Sequence, residues 1–377
     1  MIKIVPINTK AEIKKFTRFK NNLYKGHPYA VPTLESSEHK LLDPQTNPSL
    51  EFCKFQCFLA YNEKGKIVGR IAAIINDRVN DTWTKKEGRF GFFDTIDDYQ
   101  VAEALLSAAQ EWVKQRGMET FVGPMGFTNM DEEGMLVEGY DEPGTMATIY
   151  NYPYYVDFVE RFGLKKEIDW IEMLLTLPEK MPERIEKFSK IILQKNNLKV
   201  IKLNSNKEIL KQGWATKIFE LINREYSKLF GYNAMTQRQI DHYVDVYIPM
   251  VRRELLCMVA DNEDNLVGIG ISLPSMTRAL QKSRGKMLPF GWIPLLKALK
   301  GKKAEVIDLM LIAIDADYQN KGLTAIVMKE VIEGMHKMGA KYVETNPELE
   351  TNSAIHNQWD MFEKRHHKRR RAYIKHI

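Results

Sequence analysis

Residues 305–325 read EVIDLMLIAIDADYQNKGLTA: a buried strand, a tight polar turn and the start of a helix. The turn is Gln319-Asn320-Lys321-Gly322-Leu323-Thr324. A glycine there lets backbone approach a ligand closely, and a helix beginning at the turn points its first N–H groups outward. That end of a helix attracts anions, phosphate above all. The helix that follows has an apolar face of Leu323, Ile326, Val327, Val331, Met335 and Met338, closed by Gly339.

Outward from this stretch, the second half can be aligned with the first. Asn62-Glu63 with Ile67-Val68-Gly69 matches Asn262-Glu263 with Leu266-Val267-Gly268, and Asp98-Tyr99-Gln100 matches Asp317-Tyr318-Gln319. Gly117, which closes a helix over 99–116, matches Gly339; Asn151 with Phe158 matches Asn352 with Trp359. Four matches in one order point to a duplicated fold. The offsets between matched residues are 199, 219, 222 and 201 in turn. The second half therefore carries about twenty extra residues at 274–303, and the first carries a similar excess at 123–149. The step from 219 to 222 falls just after Gln100, where the first copy lacks a counterpart of Asn320-Lys321-Gly322. One phosphate cradle per chain is expected, not two.

A strand, then Asp-Tyr-Gln-x-Lys-Gly at a helix start, then a strand and an Asn-led helix (352–364) with an aromatic seven residues on, resembles the GCN5-related N-acetyltransferase (GNAT) superfamily. The first half resembles it in element order, as in tandem acyltransferases with one degenerate copy. The resemblance implies an α/β (α+β) fold of two GNAT-like lobes, 1–180 and 181–377, each a mixed, mostly antiparallel sheet flanked by helices. It implies that acetyl-CoA or a longer acyl-CoA is the co-substrate, an amine the acceptor, and N-acyl transfer the reaction. The amides of Gln319, Asn320, Lys321, Gly322, Leu323 and Thr324 would hold the pyrophosphate. Ile312, Ala313 and Ile314 would hydrogen-bond the pantetheine, flanked by Asn352 and Trp359. The chain departs from the family where a glycine is expected at Thr324 and at Trp359, which stands where a tyrosine often donates a proton to the leaving thiolate. Tryptophan has no titratable proton. Another group then serves, no acid is needed, or the copy is not catalytic.

Direct attack of an amine on a thioester needs an unprotonated amine and a route for its proton. Candidate bases are Glu305, Asp308 and Glu344; strand alternation puts Glu305 and Asp308 on opposite faces. The loop 123–149 is long for a connection and reads as an acceptor wall, with Asn129, Glu133, Tyr150 and Asn151 the candidate contacts. Residues 282–303, KSRGKMLPFGWIPLLKALKGKK, place bulky apolar side chains between cations and suit a peripheral membrane contact. If that segment meets lipid, a lipidic long-chain amine becomes the substrate idea; bacterial sphingolipid N-acyltransferases are similar in acting on such amines.

The other features narrow the class. The chain has 377 residues, 44% hydrophobic, with a net charge of +6 and three cysteines. No apolar run reaches the roughly 20 residues of a membrane span, and no signal peptide is read at the N-terminus. The histidines show no metal-ligand spacing, so no metal is expected. The basic run 364–371 reads as a terminal strand, part of whose charge meets CoA phosphate or anionic lipid, or else as a solvated charged edge strand; without a stacking pattern beside it, nucleic acid is not expected. The expected location is the cytoplasm, peripheral to the inner face of the membrane. A second reading is a non-catalytic acyl-CoA- or lipid-binding sensor.

Overall fold

In the computed structural model, which describes every residue except Asn320 and 353–356, the apolar run becomes a strand because both its faces are covered. In chain order the first half contains β1 (Lys3–Ile7), α1 (Lys10–Leu23), α2 (Glu35–Leu41), β2 (Cys53–Tyr61), β3 (Ile67–Asn76), α3 (Asp77–Trp83), β4 (Glu87–Thr95), α4 (Tyr99–Lys114), β5 (Thr120–Gly123), β6 (Met135–Glu138), α5 (Tyr154–Arg161) and β7 (Lys165–Thr176). Then come α6 (Glu183–Lys195), β8 (Lys199–Val200), α7 (Asn206–Lys211), α8 (Trp214–Tyr226), α9 (Gln237–Tyr247), β9 (Leu256–Ala260) and β10 (Leu266–Pro274). Last are α10 (Thr277–Ser283), α11 (Trp292–Lys300), β11 (Val306–Ile314), α12 (Leu323–Lys337), β12 (Tyr342–Thr345), β13 (Glu348–Leu349) and β14 (Glu363–His376).

The duplicated helices bury the faces their spacing predicts. Val101, Leu105, Leu106 and Val113 of α4 pack on the first sheet half, and Leu323, Ile326, Val327, Val331 and Met335 of α12 on the second. Their N-termini differ. The α4 helix starts at once after Asp98, whose carboxylate accepts from the Gln100 N–H at 2.9 Å. The start of α12 is a glycine with no side-chain cap. The first copy thus fills with its own anion the place the second leaves open.

All the strands form one sheet, ordered β1-β2-β3-β4-β5-β14-β7-β12-β11-β10-β9-β8, with β6 on β14 and β13 on β7. Most neighbours are antiparallel; β4–β5 and β11–β12 are parallel. The two halves exchange their long final strands. β7 pairs with β12 of the second half, β14 pairs with β5 and β6 of the first, and the two run antiparallel from Glu363↔Thr176 to Ile374↔Lys165.

Three expectations change here. The basic run 364–371 belongs to a central strand, not an edge: it pairs with β7 along its length and with β6 as well from Arg369 to Arg371, and Lys368 and Arg370 are buried. Its cations pair with Glu172, Glu344, Asp169, Glu138 and Glu142. No helix over 352–364 forms among the described residues; a short 3-10 turn, Asn357–Met361, leads into β14, whose pairing claims the chain from Glu363. Within 123–149, residues 135–138 form β6 because β14 offers them a partner.

Candidate active site

β11 and β12 run parallel only from Val306↔Tyr342 to Leu309↔Thr345. On its other side β11 skips a residue: Ser272 pairs with Leu309 and Ile271 with Leu311, so Met310 is bulged. Beyond the bulge the two strands part. Asn346 tethers the fork, its N–H donating to the Leu309 carbonyl (3.2 Å) and its amide to Met310 (2.9 Å). Among the described residues the Ile312 carbonyl has no strand partner on that side, and it accepts from the Tyr226 hydroxyl at 2.9 Å. Ala313 and Ile314 bury their side chains in the cores on either face of the sheet. The fork opens into a cavity of about 700 Å³. One wall is Met310, Leu311 and Ile312 with Glu348 and Asn352; the other includes Asn129, Glu133, Met146 and Ile149 from the first half, with α8 and α9 closing it.

At the glycine turn, Gly322 has φ 82°. A β-carbon there would lie 2.2 Å from Ile192 Cδ1 and 2.9 Å from Phe188 Cε1, because α6 leans on the turn. The positive φ favours glycine, and any β-carbon would have to push the ends of the Ile192 and Phe188 side chains aside. The Gln319 amide donates to the Ile314 carbonyl (3.0 Å) and to Glu225 Oε2 (3.3 Å), which fixes the strand-to-helix path. Lys321 is exposed with its ammonium 5.3 Å from the Tyr318 ring centre; Leu323 is buried and Thr324 half-buried. Asn320 lies outside the described residues.

The three candidate bases separate. Glu305 is exposed beside Arg278 (4.0 Å) and Lys341 (3.6 Å), at the far end of β11 from the fork. Asp308 and Glu344 sit side by side in the parallel register and are buried, but neither lines the cavity. They belong to a charged cluster at the strand exchange. The Lys368 ammonium meets Glu172 Oε2 at 3.0 Å and bonds Glu344, and Arg370 bonds Glu172. Burial and then the neighbouring Glu344 push Asp308 up to about 8. Burial would also raise Glu172, but Arg370 and Lys368 outweigh it and hold it down to about 2. Glu172, Glu344 and His367 bring ligand atoms within 4.8 Å of one another. Lys368 supplies the positive charge that the two carboxylates of this trio call for.

On the first-half wall, Asn129 donates to the Phe230 carbonyl at 3.0 Å and so ties the loop to the second half. The Glu133 carboxyl is enclosed and burial pushes it up to about 8. Asn151 reaches the cavity, yet its amide pins β6, accepting from Leu136 N (2.6 Å) and donating to Leu136 O (3.0 Å). Tyr150 does not line the cavity; its hydroxyl donates to the Tyr140 carbonyl at 2.8 Å.

No family model matches the chain. A tandem GNAT protein from the clavulanic acid biosynthesis pathway superposes with a TM-score of 0.56 at 12% identity, over 100% of this chain and 98% of that one. A GCN5-related N-acetyltransferase from Sphaerobacter thermophilus gives 0.52 at 10% identity, over 100% and 95%. The chain has the tandem GNAT fold. Two curated relatives are similar along nearly the whole length. Protein YghO of Escherichia coli (strain K12) is 27% identical over 375 residues, 98% of this chain and 94% of its own. A bacterial ceramide synthase of Caulobacter vibrioides is 26% identical over 385 residues, 99% and 97%.

Within this GNAT fold, two cavity residues escaped the sequence reading. Glu348 lies three residues past β12, on no periodic element, and is 8% exposed. Both its oxygens accept from the Trp359 indole N–H at 3.0 Å, and Trp359 itself is fully buried. Tyr226 ends an ordinary amphipathic helix; only the fork gives its hydroxyl a meaning.

Proposed function

We propose that the protein transfers an acyl group from acyl-CoA to the amine of a long-chain acceptor at a membrane surface. The observation that carries this reading is the interlobe cavity of about 700 Å³, mostly apolar in its lining and opening from the β11–β12 fork. The pyrophosphate would sit at the uncapped start of α12, and the pantetheine along the Met310–Ile312 edge. That path delivers the thioester to the cavity, whose Met, Phe and aliphatic walls suit a hydrocarbon chain. A relative named for ceramide synthesis supports the acceptor class, since a ceramide is the amide of a long-chain amino alcohol.

The 282–303 segment supports the location. Leu280 and Leu295 pack with Met276 against Val31, Leu34 and Met146, so α10 and α11 bridge the two halves. The outer face exposes Met287, Leu288 (77%), Phe290 (70%), Trp292, Ile293 and Leu296. Lys286, Lys297 and Lys300 stand in the same segment, an arrangement fit for anionic headgroups. No helix among the described residues is long and apolar enough to cross a membrane. Flotation with vesicles of anionic phospholipid is expected to carry the wild type upward and to leave the Trp292→Glu, Leu296→Glu variant behind. Equal flotation would remove the membrane contact.

The reaction is tested by free-thiol release. Long-chain acyl-CoA with a long-chain amine should release CoA at least ~10-fold faster than with a short amine, because each buried methylene contributes about 0.8 kcal/mol. Tight acyl-CoA binding without thiol release from any amine would favour the sensor reading instead.

A further inference from the structure

We propose that Glu348 is the proton-transfer residue of the acyl transfer, with Trp359 as the residue that positions it; the assignment rests on the acyl-CoA reading above. Glu348 forms β13 with Leu349, on the β12 side of the fork, and lines the same cavity wall as Met310 and Ile312. A thioester laid along that edge enters the cavity that this carboxylate lines. Glu305 is remote, Glu344 is bonded to Lys368 in the buried charge cluster, Asp308 is buried beside Glu344 without lining the cavity, and Glu133 belongs to the first-half wall.

Trp359 explains why a tryptophan stands here. Its indole is a donor with no acceptor role, so it fixes a carboxylate and cannot take the proton itself. Donation to both oxygens at 3.0 Å sets the plane of the carboxyl group, and packing at 6.3 Å on Phe362 holds the ring. Burial raises the Glu348 pKa, while the Trp359 bond and the Lys364 charge on β14 lower it; the balance lies at about 7. Tyr226 from α8, its hydroxyl donating to the Ile312 carbonyl, lies close enough to feel the charge of this carboxylate. A base poised near neutrality is the efficient one.

The step balances as follows. A neutral amine nitrogen forms the C–N bond with the thioester carbonyl carbon. Glu348 takes the N–H proton, the C–S bond breaks with its electron pair on sulfur, and the protonated Glu348 returns the proton to the thiolate. The products are the amide and free CoA, with the carboxylate restored.

Glu348→Gln should bind acyl-CoA with unchanged affinity by calorimetry, while kcat falls by about 10²–10⁴. Glu348→Asp should recover part of that loss. Trp359→Phe removes the bond that favours the carboxylate, so the acidic limb of the kcat/KM profile should move to higher pH. Should Trp359→Phe fail to fold, the Glu348→Gln arm decides alone. Turnover within threefold of wild type in an acyl-CoA-binding Glu348→Gln protein overturns the proposal, as does an unmoved acidic limb in a folded Trp359→Phe. Absence of acyl-CoA binding by the wild type would instead overturn the reading on which the proposal rests.

Discussion

Lys368→Met is expected to destabilise the protein by about 3–5 kcal/mol, since breaking a buried ion pair strands the charges left behind. Lys368 is fully enclosed on β14, bonded to Glu172 and Glu344 and donating to the Pro143 carbonyl at 3.0 Å. Methionine matches its volume and none of its charge. Glu172 keeps its bond to Arg370, but Glu344 keeps only the more distant charge of cations such as Arg370 and the His367 ring at 3.5 Å. Burial already raises the Glu344 pKa, and loss of Lys368 raises it further. A carboxyl whose folded pKa lies above its unfolded value binds protons the unfolded chain has released, so its stability falls as pH rises between the two values. The deficit of Lys368→Met should therefore be larger at pH 8 than at pH 5 in urea unfolding, and Glu344→Gln added to it should recover part of the loss. An equal deficit at both pH values would contradict this account.

Gly322→Glu is expected to reduce acyl-CoA affinity by ~100-fold or more, about 3 kcal/mol. Three effects combine: a side chain at φ 82° is strained, its β-carbon meets Ile192 and Phe188, and its charge repels pyrophosphate from the helix start. Gly322→Ala separates them, keeping the strain and the clash without the charge. Its affinity should fall between wild type and Gly322→Glu in titration calorimetry. Undiminished binding by Gly322→Glu would move the phosphate site elsewhere.

The fold was legible wherever one short segment carried its own signal. The faces of α4 and α12, the closing glycines Gly117 and Gly339 at positive φ, and the missing turn after Gln100 follow from spacing within a few residues. What stayed hidden depends on partners distant in the chain. The basic run 364–371 looks solvated because lysine and arginine usually are; its carboxylate partners lie at positions such as 138, 142, 169 and 172. Asp308 drew attention as a carboxylate in an apolar strand, and the signal was real, but it marked the charged seam rather than the cavity. Trp359 was visible as a departure and unreadable alone; its meaning is Glu348, eleven residues earlier on a two-residue strand.

The exchange of β7 and β14 also bears on how the chain comes to be folded. The sheet of the first half closes only when residues 363–376 lie beside β5, so everything before them must be made first. Until then β5 presents an unfilled edge, and β7 can pair with β12 only after the second half has emerged. Cutting near residue 180 would therefore not yield two working units but two pieces each lacking a strand. The same crossing limits motion. A hinge between the halves would have to tear main-chain hydrogen bonds along β7 and β14, so access to the cavity falls to its surrounding helices and loops, and the two lobes are expected to unfold in a single transition.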